Sequence, residues 1–298
     1  MPTKKKAAAK PAVKGNVKAA ETPEGKKSVW LTYSPTEKKE LEKLAKGYRA
    51  FLTACKTERE SVTETIRQAE AAGYVELSRA TRRGRKLRPG DKVYTVGMKK
   101  TIALFHIGSA SLEQGLSILG AHIDSCRLDL KQNPLYEDGG LAFFDTHYYG
   151  GIKKYQWVAL PLALHGVVVK KDGRVVEVKL GEGEDDPVFC VTDLLPHLAQ
   201  EQMEKKAAKV VEGENLDVLV GSLPLAKKEK DAVKFGVLAL LKEQYGISED
   251  DFLSAELSLV PAGRAREMGF DRSLILGYGQ DDRVCAYTSL AAMLEVNA

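Results

Sequence analysis

The chain has 298 residues, 44% hydrophobic and 29% charged, with a net charge of +4, values ordinary for a globular protein with room for one large domain or two smaller ones. No run approaches the ~18 consecutive apolar residues of a transmembrane helix, and four cysteines without C-x-x-C spacing supply neither a redox motif nor a disulfide framework. Residues 1–28 hold eight lysines against two glutamates, which leaves 37 basic and 39 acidic residues elsewhere; a nucleic-acid-binding domain would carry its positive charge on a folded face, so nucleic acid is not an expected partner.

Residues 1–28 are rich in Lys, Ala and Pro and show no apolar periodicity, so they are expected to form a disordered basic tail. They contain no apolar signal segment and no Arg, the marks of secretory and transit peptides. A cytoplasmic protein with reduced cysteines and no membrane partner is the expectation.

Ser34-Pro35-Thr36-Glu37 reads as a capped helix start. Leu41, Leu44, Ala45, Tyr48, Phe51, Leu52 and Cys55 then recur at helical spacing. Thr57-Glu58-Arg59-Glu60 reads as a second capping box, with Val62, Ile66 and Ala69 on one face and Gly73 at the stop. After a basic, turn-rich stretch, Lys92–Val96, Thr101–Ile107 and Leu116–Ile123 read as strands. Glu137-Asp138 runs into Gly139-Gly140 as a turn. Trp157–Lys170 is rich in Val and Leu, Lys171-Asp172-Gly173 reads as a hairpin turn, and Arg174–Leu180 alternates as a strand does. Lys227–Tyr245 predicts a helix, Ser273–Tyr278 a strand and Asp282–Leu294 a helix. This order fits an α/β domain interrupted by a smaller β-rich insertion.

Two segments hold residues suited to chemistry. Leu116–Ile123 runs into Gly120-Ala121-His122-Ile123-Asp124-Ser125, and on a continued strand His122 and Asp124 would share a face. An imidazole held by a carboxylate is a good ligand for Zn²⁺; the same pair also serves as a structural histidine beside an acid. In Gly277-Tyr278-Gly279-Gln280-Asp281-Asp282-Arg283, adjacent carboxylates could bridge cations or cap the following helix, with Arg283 as partner. His106 reads as a core residue, His147 and His165 as unremarkable, and Cys126 as a small buried side chain.

Taken together, Gly-Ala-His-Ile-Asp-Ser upstream of Gly-Gln-Asp-Asp-Arg resembles the metal-binding pattern of M18 metallo-aminopeptidases, the aspartyl aminopeptidase type. Further resemblance lies in Cys55–Glu60, Tyr148-Tyr149-Gly150-Gly151, Trp157, Pro161–Gly166 and Leu195-Pro196-His197-Leu198-Ala199, so that it spans roughly residues 30–298. The resemblance implies a metallo-exopeptidase-like α/β catalytic domain (29–149 and 263–298), interrupted by an inserted dimerisation domain (150–262). It implies that His122 ligates a metal, Asp124 orients it, and Asp281 bridges two metals beside Asp282. His197 would come from the insert to stabilise an oxyanion in a partner's site. The cofactor would be two Zn²⁺ ions, with Co²⁺ or Mn²⁺ as alternatives; the substrate would be a peptide and the assembly a homo-oligomer.

In that family a Glu-Glu pair, a further Asp and a late His complete the site downstream of the Asp-Asp segment. This sequence has no Glu-Glu pair, and Ala298 lies sixteen residues beyond Asp282. The expectation is therefore a catalytic domain incomplete at its C-terminus and inactive alone. The alternative is a non-catalytic assembly or interaction protein derived from the same fold.

Overall fold

The structure, a computed structural model, describes residues 28–225 and 230–296; the expected tail lies outside the described residues apart from Ser28. The described residues fall into two compact units, divided between Ala45 and Lys46. In the first, Ser34 and Glu37 form the expected capping box: Ser34 N–H donates to Glu37 Oε2 at 2.7 Å, and Glu37 N–H to Ser34 Oγ at 3.3 Å.

In chain order the helices are α1 (Pro35–Ala54), α2 (Glu58–Ala71), α3 (Leu77–Ala80), α4 (Gln200–Met203), α5 (Ala232–Tyr245) and α6 (Gln280–Glu295). The strands are β1 (Val75–Glu76), β2 (Lys92–Gly97), β3 (Thr101–His106), β4 (Arg127–Asp138), β5 (Leu141–Tyr149) and β6 (Leu162–Val169). They continue with β7 (Val175–Leu180), β8 (Cys190–Val191), β9 (Val218–Gly221), β10 (Ala255–Pro261), β11 (Arg266–Met268) and β12 (Leu274–Leu276).

A seven-stranded antiparallel sheet, ordered β7-β6-β10-β4-β5-β9-β8, dominates the second unit. Gly139 and Gly140, at φ 57° and 76°, form the two-residue turn between β4 and β5; positive φ at both positions matches the twist of a hairpin. Leu128, Phe144, Leu162, Leu164, Leu216, Phe252 and Leu259 make the buried core of this sheet. β4 and β5 pair with β10 and β9 of this sheet, which therefore runs across the expected division at 149/150, its first strand in sequence starting at Arg127.

The helical side of the unit is a separate cluster of Tyr48, Phe51, Leu52 and Cys55 from the α1 end against Tyr287 and Leu290 of α6. The second capping box is present: Thr57 Oγ1 accepts from Glu60 N–H at 3.3 Å, while Glu60 Oε2 accepts from Thr57 N–H at 2.9 Å. Removing the hydroxyl by Thr57→Ala should cost about 1 kcal/mol, read as a lowered thermal midpoint.

The Leu116–Ile123 strand is not formed. Residues 116–126 carry no regular structure, and Leu116, Ile118 and Leu119 are 64%, 80% and 64% exposed. An apolar run becomes a strand only when a neighbour accepts its backbone hydrogen bonds, and no strand among the described residues does so. The last helix starts at Gln280 with Gly279 at its cap position, so neither Asp281 nor Asp282 is its N-cap.

Candidate active site

Cys55–Glu60, the turn from α1 into α2, is where the segments of the site converge. Lys56 is buried, and its ammonium donates to the carbonyls of Pro261 (3.1 Å) and Gly263 (2.7 Å). Glu58 Oε1 accepts from Arg127 at 2.9 Å, and Arg59 pairs with Glu256 at 2.8 Å. Glu60 uses Oε2 in the capping box and Oε1 on His165 Nδ1 at 2.9 Å.

His122 and Asp124 do meet, though not as neighbours on a strand face. His122 Nδ1 lies 2.7 Å from Asp124 Oδ1; an ionised carboxylate only accepts, so the proton sits on Nδ1. Tyr149 donates its hydroxyl to Asp124 Oδ2 at 2.8 Å, and the Arg127 guanidinium lies 4.1 Å over the Tyr149 ring. Burial pushes the Asp124 carboxyl up, but the hydrogen bonds from Tyr149 and His122 outweigh it and hold the group below the usual carboxylate range. The charged Asp124 in turn raises Tyr149. Asp124 is thus kept ionised and aimed at His122, an arrangement that fixes the imidazole tautomer and leaves Nε2 with its lone pair as an acceptor. His122 remains about half exposed.

Asp281 lies exposed in the first turn of α6. Its segment is joined to that of His122: Ser125 donates its hydroxyl to the Asp281 carbonyl at 3.1 Å, and Tyr278 donates to the Cys126 carbonyl at 2.9 Å. His197 is elsewhere, exposed in the turn after β8. Among the described residues no three His, Cys, Asp or Glu side chains gather as a metal site. The donor set present, one imidazole oriented by a carboxylate, fits part of a zinc centre.

The remaining histidines and Cys126 divide differently from expectation. His165 is wholly buried between Glu60 and Glu182, the latter 3.2 Å from Nε2. His106 is half-buried, and His147 is exposed and stacked on Tyr148 with centroids 5.5 Å apart. Cys126 is partly buried, its Sγ 3.7 Å from the Gly151 carbonyl. Sequence reasoning missed Tyr149 as the second partner of Asp124; its place beside Gly150-Gly151 was the available signal.

The family profile described as aminopeptidase I zinc metalloprotease (M18) matches residues 51–298. The chain belongs to the M18 family. A probable M18 family aminopeptidase 1 of Clostridium acetobutylicum is 57% identical over 271 residues, covering 91% of this chain and 58% of the relative. The crystal structure of aminopeptidase I from that organism is 56% identical, with a TM-score of 0.81 over 91% of this chain and 60% of its own. The M18 aminopeptidase of Thermotoga maritima gives a TM-score of 0.84 at 47% identity, over 91% of this chain and 58% of its own. The S. cerevisiae protein mApe1, solved as a dodecamer, shares the fold at 17% identity, with a TM-score of 0.64 over 86% of this chain and 56% of its own. This M18 chain therefore spans about three fifths of the length of the relatives it matches, with the mixed α/β architecture of M18 structures.

Proposed function

We propose that this chain carries the first part of a zinc-dependent aminopeptidase site that releases N-terminal residues from peptides. The observation that carries the reading is the His122–Asp124–Tyr149 chain of hydrogen bonds, joined through Ser125 to Asp281. His122 and Asp281 would hold metal, two Zn²⁺ ions in the full centre with Co²⁺ or Mn²⁺ as alternatives, since mixed N/O ligands discriminate weakly. Bound there, the metal supplies Lewis acidity toward the scissile carbonyl and toward a water nucleophile. Asp124 holds the proton on His122 Nδ1, and Tyr149 holds Asp124. The remaining ligands and the general base would come from the part of the relatives' length that this chain does not span.

The seven-stranded sheet would form the inserted unit, beginning at β4 because β4 and β5 belong to it, and would mediate self-association in a homo-oligomer. His197 would then serve a partner's site. Leu194, Leu195 and Leu198 beside it are 55%, 67% and 71% exposed, the apolar surface such a contact would cover. A cytoplasmic location suits the four free cysteines. The intact sheet, set against the absence of a three-ligand cluster among the described residues, also supports the assembly reading for the 298-residue chain by itself. Light scattering coupled to size exclusion checks self-association: an oligomer is expected, and a monomer at all concentrations speaks against it.

Zinc affinity of the chain tests the site. Asp124→Asn, which removes the ionised acceptor, should weaken zinc binding about 10- to 100-fold. His122→Ala should weaken it further. Unchanged affinity in both variants would sink the assignment.

A further inference from the structure

We infer that Arg283 is the positioning residue that clamps the His122–Asp124 segment against the rest of the site; the inference rests on the metal-site reading above. Arg283 is 1% exposed, and a buried guanidinium must satisfy its donors inside the protein. It does so on three backbone carbonyls from two distant segments. Nε–H donates to Ile123 at 3.0 Å, Nη1 to Cys55 at 2.9 Å and Nη2 to Lys56 at 3.0 Å. Ile123 is the residue between His122 and Asp124. Arg283 itself lies two residues after Asp281 on α6. One planar group therefore fixes the metal-facing loop, the α1–α2 turn and the helix that presents Asp281.

Two further observations carry the assignment. The His122 segment has no ladder to hold it, as residues 116–126 carry no regular structure. Its placement accordingly depends on side-chain ties, among them that of Arg283 to the Ile123 carbonyl. The space for the clamp is also built. Gly279 has φ +77°, and a Cβ there would lie 2.2 Å from Arg283 Nη1 and 3.2 Å from Ser125 Oγ. The Tyr278 ring covers the guanidinium at 5.5 Å while its hydroxyl holds the Cys126 carbonyl. A lysine would keep the charge but lose the rigid fork that reaches three acceptors at once.

The test is amide hydrogen exchange and Zn²⁺ affinity, both on the full 298-residue chain, wild-type and Arg283→Lys. In the variant, amides of residues 121–126 should exchange at least about tenfold faster while those of β4–β6 keep their protection, and zinc should bind about 10- to 100-fold more weakly. Unchanged exchange at 121–126, or uniform acceleration through the sheet, overturns the assignment. Should Arg283→Lys fail to fold, the wild-type chain decides. Its Arg283 Nε–H should be a slowly exchanging NMR signal with a coupling across the hydrogen bond to the Ile123 carbonyl, and absence of that coupling overturns the clamp. If His122→Ala leaves zinc affinity unchanged while Arg283→Lys still loosens 121–126, the metal reading fails and the clamp stands.

Discussion

Glu60→Ala is expected to lower the unfolding free energy by about 3–5 kcal/mol, measured by urea denaturation. Glu60 is at once the return arm of a helix cap and a partner of wholly buried His165. On its other side His165 meets Glu182, whose Oε1 also lies 3.5 Å from the buried Lys56 ammonium; Lys179 adds its charge near Glu60, and Arg283 acts on Lys56. Truncating Glu60 leaves buried charge unpaired, which costs far more than an exposed pair is worth.

The same cluster gives a pH signature. Burial pulls His165 down, but its bonds to Glu182 and Glu60 outweigh this and hold it above its ordinary 6.5. Burial pushes Glu60 and Glu182 up, but His165, with Lys56 in the case of Glu182, holds both below their ordinary 4.5. A raised histidine stabilises fully below 6.5 and ceases to do so as pH rises through its folded value. Lowered carboxylates stabilise fully above 4.5 and cease to do so as pH falls through theirs. The stability difference between wild type and Glu60→Ala should therefore be larger near pH 6 than at an alkaline pH above the folded-state value of His165. An equal difference at both would mean that His165 is neutral throughout.

Gly166→Ala is expected to be at least as damaging as most core truncations, about 3 kcal/mol or more. Gly166 sits in β6 opposite Leu257 of β10 and Val178 of β7, at φ +141°, and a Cβ there would lie 1.9 Å from the Glu256 carbonyl oxygen. The obstacle is backbone of the adjoining strand, so the β6–β10 ladder would have to part. Gly173→Ala is the control. Gly173 also has positive φ (+83°) but nothing within 4 Å of a Cβ, so about 1–2 kcal/mol is expected. Equal costs at the two glycines would contradict the steric account.

What could be read from the sequence was local. The capping boxes at Ser34 and Thr57, the Lys171-Asp172-Gly173 turn and the Gly139-Gly140 turn all follow from residues within a few positions of one another, and the structure has each. The Leu116–Ile123 run was misleading because strand formation is decided by a partner, and an apolar run carries no information on whether one is there. His165 looked unremarkable because its two carboxylates lie 105 and 17 residues away. Arg283 looked like a helix-start partner of an aspartate because its acceptors lie 160, 228 and 227 residues away. The His122–Asp124 pairing was legible from their spacing, even though a direct hydrogen bond, rather than strand alternation, realises it. The sheet membership of β4 and β5 was not legible at Gly150-Gly151, since a glycine pair marks a turn and says nothing about which strands pair.

The central claim is that His122 belongs to the metal centre of an aminopeptidase. The most direct measurement is release of N-terminal residues from a peptide panel by this chain, completed with the C-terminal part of the Clostridium acetobutylicum relative that it does not span and loaded with zinc, beside the His122→Ala variant of that protein and the 298-residue chain. The account predicts release by the first and background levels from the other two. No release by the first from any peptide, or undiminished release by the His122→Ala variant, would contradict it.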